Sequence, residues 1–332
     1  MIKLGIIYGG ISTEHDVSIM SAKSVISNLN KEKYEIHEIY INEYGKWFEV
    51  KDGEREEIYN LIWKLKELDV VFPVLHGLGG EDGTIQGLLE MFKIPYVGCG
   101  VLASSVGMDK VYTKMVFEKA GIPQAPYVYI KRKDESYLII NEKFEEEEFN
   151  LDKITSKLKF PMFVKPANSG SSVGVKKAMN ENELKMAIQY ASQYDTKILV
   201  EQGIDGKEVE CAILDGKEVI ASTVGEIISA EDFYSFDAKY NIPESKTVIP
   251  AVITQEQIEE IRKLAIRAFK AIDGKGLSRV DFFVEKETNK IYINEINTMP
   301  GFTKISMYPK LFEAVGVSYS ELLDKLIYNA MN

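Results

Sequence analysis

The 332-residue chain contains two cysteines, three histidines and two tryptophans, and these scarcities exclude several classes of protein. Cys99 and Cys211 lie far apart, and no Cys or His falls at zinc-like spacing, so neither a disulfide framework nor a zinc site is indicated and a reducing cytoplasm is expected. No apolar run reaches the 18 or so residues of a membrane-spanning helix. The opening MIKLGIIYGG has one lysine and a short apolar run ended by two glycines, unlike a secretory signal, so no membrane association is expected. Positive charge is also in deficit: 40 Lys and Arg face 51 Asp and Glu, a net charge of -11, which argues against nucleic acid as a partner. No Gly-Lys pair is followed by Ser or Thr, so a P-loop is excluded.

The composition, 45% apolar and 27% charged, is that of a protein with a packed core. At roughly 100 to 200 residues per domain, two or three units with clefts between them are expected. Leu4 to Tyr8 followed by Gly9-Gly10 and the helical spacing of Ala22, Val25, Ile26 and Leu29 reads as strand, glycine loop, helix. VVFPVLHG at 70–77, GLGGEDG and the face Ile85, Leu88, Leu89 and Phe92 repeat that order, which favours a parallel sheet. One helical stretch is expected around Met108, Val111 and Met115, ended by Gly121. The acidic run at 142–150 reads as a solvated helix face or loop. FPMFVKPA at 160–167 reads as a strand, and Leu184, Ala187, Ile188 and Ala191 as a helix face. The boundaries expected are 1–98, 99–199 and 200–332. In the last unit KILVEQ and EVECAIL lead through Asp215-Gly216 to EVIAS as an antiparallel signal, and Thr254 with Gln257 forms a capping box. Residues 226–247 have no clean period and read as a long lid loop.

SRVDFFVEK at 278–286 and KIYINEI at 290–296 alternate around a three-residue turn, Glu287 to Asn289. That register sets Asp281 opposite Glu295, on one face and roughly 4.5 to 5.5 Å apart, with Asn297 two positions on. Two carboxylates and an amide, with no Cys or His, are an Mg²⁺ ligand set; in another register both acids would face water. Arg279 on the same face suits an oxyanion or phosphate. Lys165 ends a buried-type strand, where a lone lysine is costly unless it meets an anion, and NSGSSVG at 168–174 offers N–H groups and hydroxyls for phosphates.

GSSVG also matches a nucleophile elbow at Ser172, but His15, His37 and His76 all precede it, so the required later histidine is missing. GGISTEHDVS lacks the dinucleotide G-x-G-x-x-G spacing. A binding module without turnover remains a separate class. Taken singly, Glu14 reads as an N-cap partner, Tyr240 as a core edge residue and His76 as a hydrogen-bonded strand-end histidine.

Taken together, GGISTEHDVS, LHGLGGEDGTIQG, MDK, FVKPANSGSSVG, DAKY, SRVD and NEINTMPGFT, in that order along nearly the whole chain, resemble the D-alanine:D-alanine ligase family of the ATP-grasp superfamily. The resemblance implies an α/β and α+β three-domain ATP-grasp fold, with an N-terminal doubly wound parallel sheet and a C-terminal antiparallel sheet. It implies that ATP phosphorylates the carboxylate of one D-alanine and that the amine of a second attacks the acyl phosphate. By motif, Asp281, Glu295 and Asn297 would hold two Mg²⁺ ions, or Mn²⁺. Lys110, Lys165 and Lys239 would contact nucleotide phosphates beside Ser172, and Glu201 and Glu208 would sit by adenine and ribose. Glu14, joined to Ser171 and Tyr240, would hold the first substrate's ammonium in a pocket lined by His76, with Lys239 also on the substrate side. Arg279 and the Gly301 N–H would form the oxyanion hole, and Ser306 would bind the second carboxylate. Gln202 and Gly203 depart from the lysine and tryptophan of some relatives; Tyr240 favours an amine over D-lactate, and D-serine stays open. A homodimer is implied as well.

Overall fold

A computed structural model describes residues 1–228 and 246–332. Three sheets organise the chain. The first contains β1 (Ile2–Gly9), β2 (Tyr34–Ile41), β3 (Trp47–Lys51), β4 (Glu54–Glu57) and β5 (Val70–Pro73), in the order β4-β3-β2-β1-β5. β1 pairs in parallel with both β2 and β5, as the repeated strand, loop and helix pattern anticipates, while β3 and β4 extend the sheet antiparallel. α1 (His15–Asn28), α2 (Leu61–Lys66) and α3 (Thr84–Met91) accompany it.

The helical stretch expected around Met108 is two helices, α4 (Val101–Met108) and α5 (Lys110–Lys119). The break has a local cause: Asp109 leaves the helical conformation and its carboxylate accepts from the N–H groups of Val111 and Tyr112, capping α5. The second sheet follows, in the order β10-β9-β11-β6-β7-β8. It contains β6 (Tyr127–Lys133), β7 (Ser136–Ile140), β8 (Glu146–Glu148), β9 (Met162–Pro166), β10 (Lys176–Ala178) and β11 (Lys197–Gln202). The acidic run, expected as helix face or loop, supplies the edge strand β8, whose charge suits an unpaired edge. KILVEQ, grouped with the third unit in the sequence, closes this second sheet between β6 and β9. α6 (Leu151–Thr155) and α7 (Glu181–Ala191) complete the unit, and α7 buries the anticipated Leu184, Ala187, Ile188 and Ala191.

The third sheet, β14-β13-β12-β15-β16, is antiparallel throughout. Its strands are β12 (Gly206–Leu214), β13 (Ile220–Ile228), β14 (Lys246–Val248), β15 (Leu277–Glu285) and β16 (Ile291–Asn297). α8 (Gln255–Ala271) begins at the anticipated reciprocal capping box of Thr254 and Gln257. α8, α4 and α5 cover one face, joining Ile261, Phe269, Ala103 and Phe117 to Val280 and Phe282. α9 (Met307–Glu313) and α10 (Tyr319–Ala330) serve the other face. Their Tyr308, Leu311, Leu322 and Leu326 share one core with Ala212 and Leu277 of the third sheet and Leu4, Ile6 and Phe72 of the first. The C-terminal helices therefore fix the first sheet against the third. Among the described residues no helix is long and apolar enough to cross a membrane.

Candidate active site

A cavity of about 1020 Å³ lies where loops of all three sheets meet. Every site residue expected from the sequence that falls among the described residues lines it: Glu14, His76, Lys110, Lys165, Ser171, Ser172, Glu201, Glu208, Arg279, Asp281, Glu295, Asn297, Gly301 and Ser306. Lys239, Tyr240 and most of the expected lid loop lie outside the described residues.

The hairpin of β15 and β16 forms one wall. Asp281 pairs with Glu295 and Arg279 with Asn297, as expected. The route differs from the expected one: the connection is Lys286 to Lys290, not a three-residue turn, and Phe282 pairs with Ile293. Asn294 is then the extra residue of a β-bulge, and it restores the register at Glu295. The Arg279 guanidinium donates to both Asp281 oxygens at 2.7 Å and lies 3.0 Å from Glu210 on β12. Asn297 Nδ2 donates to Asp281 Oδ2 at 3.1 Å. Burial opposes the Arg279 charge, but Asp281 and Glu210 hold its pKa well above the ordinary value, so it stays cationic. Among the described residues no group of three or more His, Cys, Asp or Glu side chains is gathered for a metal. The hairpin offers instead two carboxylates and a carboxamide, an all-oxygen set that fits a hard divalent cation completed by water or phosphate oxygens.

The opposite wall is cationic. Lys165 Nζ reaches Glu201 Oε2 at 2.8 Å and Asn294 Oδ1 at 3.3 Å. Burial pulls the Lys165 ammonium down, and Glu201, with Glu295 and Glu208, more than offsets this and leaves it above its usual value. The other Glu201 oxygen pairs with Lys114, only 3% exposed and not anticipated from the sequence. Burial alone would raise the Glu201 carboxyl; its two lysines bring it below the usual range. Lys110 donates to the Ser169 carbonyl at 2.5 Å. The base of the 168–174 loop is tied down by Asn168, which donates to Asp195 at 2.8 Å and to Asp109 at 3.3 Å. At its tip Ser171 and Ser172 have φ of 48° and 59°, a left-handed conformation uncommon for residues with a side chain, and the Val173 N–H closes the turn on the Gly170 carbonyl at 3.0 Å.

Glu14 joins this loop to the first sheet. Ser171 Oγ donates to Glu14 Oε1, and a Cβ placed on Gly77 or Gly170 would collide with Glu14 Oε2, so both positions need glycine for the carboxylate to pass between them. The His76 Nδ1–H donates to the Met299 carbonyl at 3.0 Å, which assigns Nε2, 2.9 Å away, as acceptor of the Ser21 hydroxyl. Burial lowers the His76 pKa, consistent with that neutral ring. His76 thus lines the cavity with both nitrogens committed to protein. Glu81, also unanticipated, accepts from the Gly77 N–H at 2.8 Å and the Met299 N–H at 3.0 Å. Burial, and then the Glu14 charge, push its carboxyl up to about 8. On the last wall a Cβ on Gly301 would meet Ser306 Oγ at 2.8 Å, and that hydroxyl accepts from the Thr303 N–H at 3.0 Å.

A parallel-sheet unit followed by two antiparallel-rich sheets, with lysines and an acidic hairpin lining one cavity, defines the ATP-grasp class of ligases. Residues 3–99 match the family model for the D-ala D-ala ligase N-terminus and residues 116–328 that for its C-terminus, and the chain belongs to this family. It is 51% identical to the D-alanine–D-alanine ligase of Acetivibrio thermocellus, with 97% of this chain and 94% of that protein covered. Among solved structures it is similar to the VanG D-Ala:D-Ser ligase of Enterococcus faecalis, with TM-score 0.86, 36% identity and 99% of both chains covered. It is also similar to the ATP complex of the Bacillus anthracis D-alanine–D-alanine ligase, with TM-score 0.80, 32% identity and coverage of 100% and 98%.

Proposed function

We propose that this chain uses ATP to join two D-alanine molecules into D-alanyl-D-alanine, a building block for peptidoglycan precursors. The observation that carries this is the match of both family models along the chain, with the matching motif residues gathered on one cavity. The three-domain division at 1–98, 99–199 and 200–332, a cytoplasmic location and a homodimer belong to the same reading.

Glu14, held by Ser171 between two glycines, would receive the ammonium of the first D-alanine. Lys110, Lys165 and the N–H groups around Ser171 and Ser172 would hold the nucleotide phosphates. Lys239 would join them, and Glu201 and Glu208 would take adenine and ribose. The γ-phosphoryl group passes to the first carboxylate, giving an acyl phosphate and ADP. The amine of the second D-alanine, its carboxylate at Ser306, then attacks the acyl carbon, and phosphate leaves. Arg279 and the Gly301 N–H would stabilise the oxyanion of that step, a contribution worth about 10²- to 10³-fold per donor. Asp281, Glu295 and Asn297 would hold Mg²⁺, which when bound neutralises charge on the phosphates. Tyr240 would help close the site against water.

Incubation with ATP, Mg²⁺ and an equal mixture of D-alanine, D-serine and D-lactate, followed by mass spectrometry, tests this reading. D-alanyl-D-alanine is expected as the main product. A predominance of D-alanyl-D-serine would move the chain to the specificity that the Enterococcus faecalis neighbour's name carries, and phosphate release independent of D-alanine would reject the ligase reading.

A further inference from the structure

In the loop after β16, residues 299–303 present four backbone donors, and among the described residues three of them are taken by side chains. The Met299 N–H donates to Glu81 Oε1 at 3.0 Å, the Phe302 N–H to Ser21 Oγ at 3.2 Å and the Thr303 N–H to Ser306 Oγ at 3.0 Å. Pro300 has no N–H. Among the described residues the Gly301 N–H donates to none, and Gly301 lines the cavity.

The acceptors are not products of local turn geometry. Glu81 and Ser21 lie 218 and 281 residues from the N–H groups they hold. Glu81 comes from the loop after β5 and is fixed by its second oxygen on the Gly77 N–H at 2.8 Å. Ser21 projects from α1 and donates its hydroxyl hydrogen bond to His76 Nε2 at 2.9 Å, while the other nitrogen of that ring donates to the Met299 carbonyl at 3.0 Å. The segment is thus held by both its N–H and C=O groups from α1 and the loop after β5. Apolar anchoring is present too, since Met299 and Phe302 are buried in the shared core. Packing fixes where a loop lies, whereas a hydrogen bond also fixes which way its peptide planes face.

We propose that Glu81 and Ser21 are positioning residues for the ligation step, orienting the 299–303 main chain so that the Gly301 N–H alone is left to serve the oxyanion. This rests on the assignment of Gly301, with Arg279, to the oxyanion hole. A displacement near 1 Å at such a donor is enough to cost about 10²-fold in rate.

The test compares Glu81→Gln and Ser21→Ala with the parent protein. Glu81→Gln sets an amide NH₂ against one of the two N–H groups, and Ser21→Ala removes the acceptor for the Phe302 N–H. D-alanine-dependent phosphate release at saturating ATP should lose about 10- to 100-fold in kcat. The KM for ATP should stay within about twofold, because the nucleotide-facing lysines stand on α5 and the second sheet. Amide hydrogen exchange followed by mass spectrometry should show faster exchange at 299–303. A kcat within twofold of the parent, unchanged exchange in that peptide, or an ATP KM rising in step with the loss would overturn the proposal. If Glu81→Gln does not fold, Ser21→Ala decides by the same readings. If the parent shows no D-alanine-dependent release, the ligase reading fails, and the exchange measurement still decides whether the two side chains orient the loop.

Discussion

Charged side chains with little access to water set the character of the site, and each is tolerated because a specific partner meets it. Glu201 is shared by Lys114 and Lys165, and Arg279 by Asp281 and Glu210. Glu81 has backbone donors but, among the described residues, no cation in contact, and burial together with Glu14 lifts its carboxyl to about 8 from an ordinary 4.5. The folded protein therefore keeps a proton on Glu81 that the unfolded chain has lost, between roughly pH 4.5 and 8. Its contribution to stability is complete below that window and falls as pH rises through it. Urea unfolding measured from pH 5 to 8 should give the parent a steeper decline than Glu81→Gln, by at most about 1.4 kcal/mol per pH unit. Parallel profiles would remove the assignment. Lys165 was legible in the sequence because a lysine ending an apolar strand before proline has few bland explanations. Glu81, Lys114 and Glu210 were not, since nothing near them in sequence distinguishes a buried acid or lysine from a solvated one until remote partners are known.

The β15–β16 hairpin shows how an element can deliver an expected pairing by an unexpected path. Alternation along each strand decides which side chains share a face, so Asp281, Glu295 and Asn297 could be grouped before any turn geometry was known. The turn itself was misjudged, five residues from Lys286 to Lys290 standing where three were expected. The sequence KIYINEI gives no sign that Asn294 bulges, because a bulge is set by how neighbouring strands pack and twist. Its consequence is chemical as well as geometric: Asn294 Oδ1 accepts from Lys165, linking the metal-type wall to the phosphate-type wall. Asn294→Ala keeps the backbone hydrogen bonds of the sheet and removes this link. Its KM for ATP should rise by about two- to tenfold, below the roughly 1.5 to 3 kcal/mol of a short charge-assisted hydrogen bond because this one is 3.3 Å long, with D-alanine saturation little changed. A steady-state titration with ATP checks this, and an unaltered KM would show that Glu201 alone positions Lys165. The α4–α5 break was hidden for a related reason, since Met108, Val111 and Met115 keep helical spacing across the Asp109 cap.

At the scale of the whole molecule, the shared core of α9, α10 and two sheets was beyond sequence reasoning, because an amphipathic face states that it will be buried and not against what. That core holds the first and third sheets together, while the second sheet supplies Lys165, Glu201 and the Ser171–Ser172 loop to the same cavity. A nucleotide lying between those lysines and the acidic hairpin would bridge the second sheet to the third, and it would find its sites only in the folded chain. It should then stabilise the protein through linkage, by about 2.7 kcal/mol at one hundred times its dissociation constant. The two walls differ in sign, so the cation dependence is specific: phosphate oxygens brought near Asp281 and Glu295 repel them unless a divalent cation stands between. A non-hydrolysable ATP analogue with Mg²⁺ should therefore raise the unfolding midpoint by several degrees. The analogue with EDTA should give a clearly smaller rise, and Mg²⁺ alone little. Equal shifts with and without Mg²⁺ would mean that Asp281, Glu295 and Asn297 do not hold the cation at the phosphates, leaving the hairpin to act through Arg279.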